Sequence, residues 1–132
     1  MEIEQLRVTL KTRDFERTRR YYGTVLALPE VATFERDDLR GALFQAGPGE
    51  IEVLGRLAGA PRRADDDTFE YRGPEHEMVL TLFVPSPEKV YDELIFRDRS
   101  VPGGMRQEED GSTAFVTYDP DGVKVVFRRP PR

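Results

Sequence analysis

The sequence predicts an α+β fold of two tandem βαβββ modules, with mixed β-sheets curling around a cleft and the helices outside. Three observations carry this reading. Each half of the chain opens on an apolar strand-like run followed at once by a helix N-cap and an amphipathic helix. Each half continues with three short β-rich runs separated by turn residues. The last two runs of each half are joined by matching Gly/Pro turns, Ala46-Gly47-Pro48-Gly49 and Asp119-Pro120-Asp121-Gly122.

In the first half, Leu6 to Thr12 alternates, with Leu6, Val8 and Leu10 on one face and Arg7, Thr9 and Lys11 on the other. Period 2 marks a half-buried strand. Asp14 is placed to cap a helix running from Phe15 to Leu26, whose apolar face is Phe15, Thr18, Tyr22 and Val25. Gly23 weakens that helix and allows close packing on the sheet, and Pro29 marks its end. Strands are expected over Val31 to Arg36, Arg40 to Ala46 and Glu50 to Leu54.

In the second half, Met78 to Val84 is a strand. Ser86 caps a helix with Pro87 at its first position and Val90, Tyr91, Leu94 and Ile95 on its apolar face. Met105 to Glu109, Thr113 to Tyr118 and Val123 to Arg129 are the next strands, with Asp110-Gly111 as a hairpin turn. Proline at the first corner of Asp119-Pro120-Asp121-Gly122 and glycine at its exit suit a tight turn. The Arg128-Arg129 pair before Pro130-Pro131 also reads as the start of a frayed end.

Between the halves, residues rich in Gly, Pro and charge form a solvated connector, with a short extra strand over Thr68 to Arg72 as an option. If formed, that strand would need a surface for Phe69 and Tyr71. The boundaries are about 3–56 for module one, 57–75 for the connector and 76–131 for module two. A repeat of about seventy residues in so short a chain implies one four-stranded sheet and one helix per module. One helix covers one sheet face. The other face, with Arg7, Thr9, Glu52, Val79, Thr81, Phe83 and Val126, is the candidate ligand-binding surface.

Composition narrows the chemistry. The 132 residues suit one domain, and 34% of them are charged, for a net charge of −5. That argues against a nucleic-acid binder, which carries a basic stripe. It fits a cytoplasmic protein that binds cationic or neutral small molecules. With no cysteine there are no disulfides, thiolate metal sites or cysteine nucleophiles. The single histidine, His76, leaves little room for a His-based metal site or a Ser-His-Asp triad and reads as a surface or structural residue. No apolar run spans a membrane, and the N-terminus lacks the pattern of a signal peptide. The runs Arg17-Thr18-Arg19-Arg20 and Asp65-Asp66-Asp67 read as solvated faces. Tyr21, Tyr22 and Tyr91 read as packing residues. Phe83 is the strand aromatic best placed by parity to stack on a flat ligand.

Val8-Thr9-Leu10 leading to Asp14, the helix with Tyr21-Tyr22 before Leu26, and Tyr118-Asp119-Pro120-Asp121-Gly122 before the last strand occur in order within a duplicated frame. This pattern resembles the vicinal oxygen chelate superfamily, which holds glyoxalases, extradiol dioxygenases, fosfomycin-resistance enzymes and bleomycin-binding proteins. The resemblance implies a cleft in which enzymes of the family bind a divalent metal through first- and last-strand residues, typically His and Glu. Carried over, those positions fall on Arg7, Glu52, Val79 and Val126. Valine has no donor atom, and arginine repels a divalent ion. The expectation is therefore no metal and no cofactor.

Arg7 and Glu52 have two readings. They form a stabilising cross-strand salt bridge, or they receive polar groups of a ligand. Glu52 is also a weak candidate for a general base. By resemblance, the chain is expected to be a metal-independent small-molecule-binding protein of the glyoxalase/bleomycin resistance type, sequestering an antibiotic or aromatic metabolite. The alternative is a lyase, isomerase or dioxygenase of the same superfamily. A third reading is a structural or regulatory partner whose cleft is filled with apolar side chains. Relatives that exchange modules between chains imply a homodimer.

Overall fold

In the computed structural model, which describes residues 1–57, 78–97 and 101–130, the chain divides into two units, Met1–Tyr71 and Arg72–Arg132. Both are α+β, and both repeat one plan. Among the described residues, no helix is long and apolar enough to cross a membrane.

Unit one begins with strand β1 (Arg7–Lys11) and helix α1 (Phe15–Arg20), followed by a π-helical turn over Tyr21–Val25. Strands β2 (Glu30–Arg36), β3 (Leu39–Ala46) and β4 (Gly49–Arg56) complete it. The sheet order is β1-β4-β3-β2, with β1 parallel to β4 and the other pairs antiparallel. Asp14 caps α1 by accepting from the Arg17 backbone N–H at 3.2 Å. Leu10, Ala42, Phe44, Ile51 and Val53 are buried on the sheet face that carries the helix, with Phe15, Tyr21 and Tyr22. Burying a ring such as Phe44 contributes about 2–3 kcal/mol.

The single helix expected to Leu26 is not formed. Its second half winds wider, with the Leu26 N–H donating to the Tyr21 carbonyl at 2.9 Å, and Ala27 then turns left-handed at φ 58°. Two neighbouring tyrosines, 2% and 0% exposed, both enter the core with their rings edge to face at 4.9 Å. Regular winding separates neighbours by about 100°, so a wider turn helps bring both rings inward. Gly23 approaches the sheet closely: a Cβ there would stand 2.9 Å from the Phe44 ring. Arg19, expected on a solvated face, donates to Glu30 at 2.8 Å, and that bond is the main cause that raises its pKa.

Unit two holds β5 (Val79–Phe83), α2 (Pro87–Phe96), β6 (Arg106–Gln107), β7 (Thr113–Tyr118) and β8 (Lys124–Arg128). The order is β5-β8-β7-β6, again with the outer pair β5 and β8 parallel. Ser86 caps α2 by accepting from the Lys89 N–H at 3.2 Å, with Pro87 in the first turn. Tyr91 meets Phe115 edge to face at 5.5 Å, and Phe115 stacks on Phe127 at 4.8 Å. Leu94 is fully buried.

The structure departs from three expectations in unit two. Ile95 is 46% exposed and lies outside the packed stripe. β6 is only two residues long, because pairing with β7 narrows to a turn closed by the Glu108 N–H donating to the Ser112 carbonyl at 2.7 Å. Arg128 belongs to the sheet rather than to a frayed end, its carbonyl accepting from the Val84 N–H at 2.9 Å. The turn before β8 is held by buried Asp119, whose Oδ1 accepts from the backbone N–H of Asp121 and Val123. Gly122 supplies the positive φ of 86° that its exit requires.

Candidate functional site

Each sheet has one face turned away from its helix, and register determines which side chains meet there. In unit one, β1 and β4 pair Arg7 with Glu50 and Thr9 with Glu52. In unit two, β5 and β8 pair Val79 with Lys124, Thr81 with Val126 and Phe83 with Arg128. Arg7, Thr9 and Glu52 therefore share the helix-free face of the first sheet. Val79, Thr81, Phe83 and Val126 share that of the second.

The unit-one cluster is polar and internally paired. Arg7 donates from Nε and a terminal nitrogen to Glu50 Oε1 at 3.0 and 2.8 Å. Its other terminal nitrogen stands 4.0 Å from Glu52 Oε2. Thr9 donates its hydroxyl to Glu52 Oε1 at 2.8 Å. The expected Arg7–Glu52 bridge is thus the looser of two contacts. Glu50, which is directly opposite Arg7 in register, is its main partner. Glu50 shares the parity of Glu52, two residues on, which is the signal that could have identified it. Arg7 remains 47% exposed at its side chain, whereas Glu52 is only 14% exposed. The cation is accessible to a ligand, while the carboxylate has one oxygen occupied by Thr9 and the other turned toward Arg7.

The unit-two face is apolar and cationic. Val79 and Phe83 are 49% and 54% exposed. Val126 lies between Thr81 and Val116 in register. Lys124 and Arg128 flank it along β8, at the parity of Val126.

These residues do not suit a divalent metal. Arg7 and Glu52 in unit one match Val79 and Val126 in unit two, so one carboxylate is the only hard oxygen donor among the four positions. Among the described residues, no group of three or more His, Cys, Asp or Glu side chains is placed to hold a metal ion. His76, Phe69, Tyr71 and the optional strand over Thr68 to Arg72 lie outside the described residues.

A recess not anticipated from the sequence lies in unit one. Its volume is about 320 Å³, and its lining includes Phe15, Glu16, Arg19, Phe34 and Arg40. The Arg40 guanidinium stands 4.6 Å from the centre of the Phe15 ring and donates to Glu16 at 3.2 Å. Its Nε makes no hydrogen bond among the described residues. Strand parity with Ala42 and Phe44 was the signal that could have placed Arg40 on the helix side.

A family model described as Glyoxalase/Bleomycin resistance protein/Dioxygenase superfamily matches residues 5–127. Similar solved structures include the glyoxalase family protein from Enterococcus faecalis, 18% identical, covering 97% of this chain and 97% of that one at TM-score 0.69. The lactoylglutathione lyase from Agrobacterium tumefaciens is 13% identical, with 94% and 91% covered at TM-score 0.68. A glyoxalase/bleomycin resistance protein from Catenulispora acidiphila DSM 44928 is 16% identical, with 96% and 98% covered at TM-score 0.67. At these identities the likeness is one of fold. No curated protein matches the chain.

Proposed function

The chain belongs to the glyoxalase/bleomycin resistance protein/dioxygenase superfamily, and we propose that within it the chain is a metal-independent small-molecule-binding protein. It holds an antibiotic or aromatic metabolite without transforming it. The candidate contact residues are Arg7, Thr9 and Glu52 on the helix-free face of the first sheet, and Val79, Thr81, Phe83 and Val126 on the helix-free face of the second. No cofactor takes part. The protein acts as a cytoplasmic homodimer.

One observation carries this reading. Glu52 sits opposite Thr9, and the same place opposite Thr81 is filled by Val126. The single carboxylate already accepts a hydrogen bond from Thr9 and lies near the Arg7 cation. A divalent ion would have to displace those partners and would find no second protein donor at Arg7, Val79 or Val126. What remains suits binding: an accessible guanidinium and a hydroxyl on the first sheet, and an exposed aromatic ring on the second.

The test is a thermal-shift screen of antibiotics and aromatic metabolites in the presence of a strong chelator. Stabilisation by at least one compound, with no consumption of it over hours, is the expected result. Turnover of a diol or thioester that the chelator abolishes would instead place the chain among the lyases, isomerases or dioxygenases of the superfamily.

A further inference from the structure

We infer that the helix-free face of the second sheet takes an aromatic carboxylate, so that the ligand is an anion despite the net charge of −5 on the chain. This rests on the binding reading above and adds the chemical class of the ligand.

Register aligns one row across the whole sheet. Phe83 of β5 pairs with Arg128 of β8, Arg128 pairs with Ala114 of β7, and Ala114 pairs with Arg106 of β6. Paired residues point to the same face, and neighbouring strands lie about 4.8 Å apart. The two guanidinium-bearing positions thus stand about 10 Å apart across Ala114, which is itself fully buried, so the accessible part of the row is its β5–β8 side, where the exposed Phe83 ring lies beside Arg128. Two rows away along β8, about 13 Å from Arg128 and beyond Val126, Lys124 pairs with Tyr118, which is 40% exposed.

That face carries three cations and no carboxylate within its strands. Lys124 and Arg106 make no ion pair with described residues. Arg128 is sensed by Asp110 in the turn between β6 and β7, whose pKa is lowered chiefly by hydrogen bonds from Ser112 and to a lesser degree by Arg128. The first sheet differs, because there Glu50 and Glu52 already offset Arg7. Net charge describes the whole surface, whereas a ligand responds to the few groups within a Debye length of it. A guanidinium next to an exposed ring matches a planar acid: the ring stacks on Phe83 and the carboxylate accepts a fork of hydrogen bonds from Arg128.

The experiment is calorimetric titration of the full chain, in chelator, with naphthoate, naphthamide and naphthylmethylammonium. Naphthoate is expected to bind most tightly, to weaken as salt is raised, and to lose about tenfold or more in affinity in R128Q, the cost of one charged hydrogen-bond partner. R106Q, in a two-residue edge strand, is expected to weaken it less. R129Q is the control, because Arg129 pairs with Glu88 of α2 at 3.6 Å on the helix side. Tighter binding of the ammonium compound, unchanged affinity in R128Q, or no naphthoate binding at all would overturn the anion assignment. Naphthoate binding that appears only when a divalent metal is added would overturn metal independence and leave the charge preference standing.

Discussion

Glu52 and Val126 occupy the same place in the two halves of this chain. Each lies on a strand that runs parallel to the first strand of its unit, and each faces a threonine there, Thr9 or Thr81. In unit one the threonine hydroxyl donates to the carboxylate at 2.8 Å. In unit two an isopropyl group takes the place of that acceptor. The two units thus share the backbone register, while the side chain facing threonine is an acid in one and an alkyl group in the other.

V126E places an acid there as well, and the fold is expected to tolerate it. Thr81 is placed to donate to the new carboxylate as Thr9 does to Glu52, and Lys124 and Arg128 flank it on the same face. Denaturant unfolding should show a change within about 1 kcal/mol, in line with substitutions away from a packed core. Naphthoate affinity should fall, because the carboxylate neutralises the cationic row. A loss of several kcal/mol would mean that Val126 is packed rather than ligand-facing.

Gly23→Ala distinguishes helix propensity from packing. Alanine gains about 1 kcal/mol over glycine in a helix interior. Here its Cβ would stand 2.9 Å from the ring of Phe44, which is fully buried, so the ring would have to shift within the core. Overpacking of this kind costs about 1–3 kcal/mol. The variant should therefore be less stable in urea. A more stable variant would show that the π-turn does not press on the sheet.

D119A should cost about 1–3 kcal/mol, because the amides of Asp121 and Val123 lose their acceptor. D119N keeps an oxygen at the same place and should retain most of the stability. Equal losses in the two variants would point to the charge, not the hydrogen bonds, as the stabilising feature.

Glu88 supplies a pH-dependent contribution. Hydrogen bonding from Thr113 is the main cause that lowers its pKa, with the Arg129 cation a smaller one. A carboxylate whose folded pKa is depressed adds stability that is present above its unfolded pKa and lost as pH falls through the folded one. T113V should accordingly be less stable than the parent at neutral pH, and the gap should narrow on acidification. Melting temperatures of both proteins across the acid range check this. A gap that does not depend on pH would assign the effect to packing alone.

Much of this organisation is legible in the sequence, where local chemistry decides. Asp14 and Ser86 are helix caps because their side chains replace missing backbone acceptors, and Gly122 is a turn residue because the backbone there needs positive φ. Period-2 alternation correctly separated Leu10, Ile51 and Val53 from Arg7, Thr9 and Glu52. What it could not supply was the partner across the strand. Parity says which face a side chain takes, but only register says who stands beside it. Arg7 therefore proves to pair with Glu50 first, and Phe83, Arg128 and Arg106 form a row that linear spacing does not reveal. The π-turn escaped for a related reason: the demand to bury both Tyr21 and Tyr22 comes from the sheet beneath them.

The central claim is that this member of the superfamily binds without a metal. Incubate the purified chain with zinc, nickel, manganese or iron(II), remove free ion by gel filtration, and measure bound metal by mass spectrometry. The donor set at Arg7, Glu52, Val79 and Val126 predicts far less than one ion per chain, unchanged in E52Q. A stoichiometric ion that E52Q releases would contradict the account.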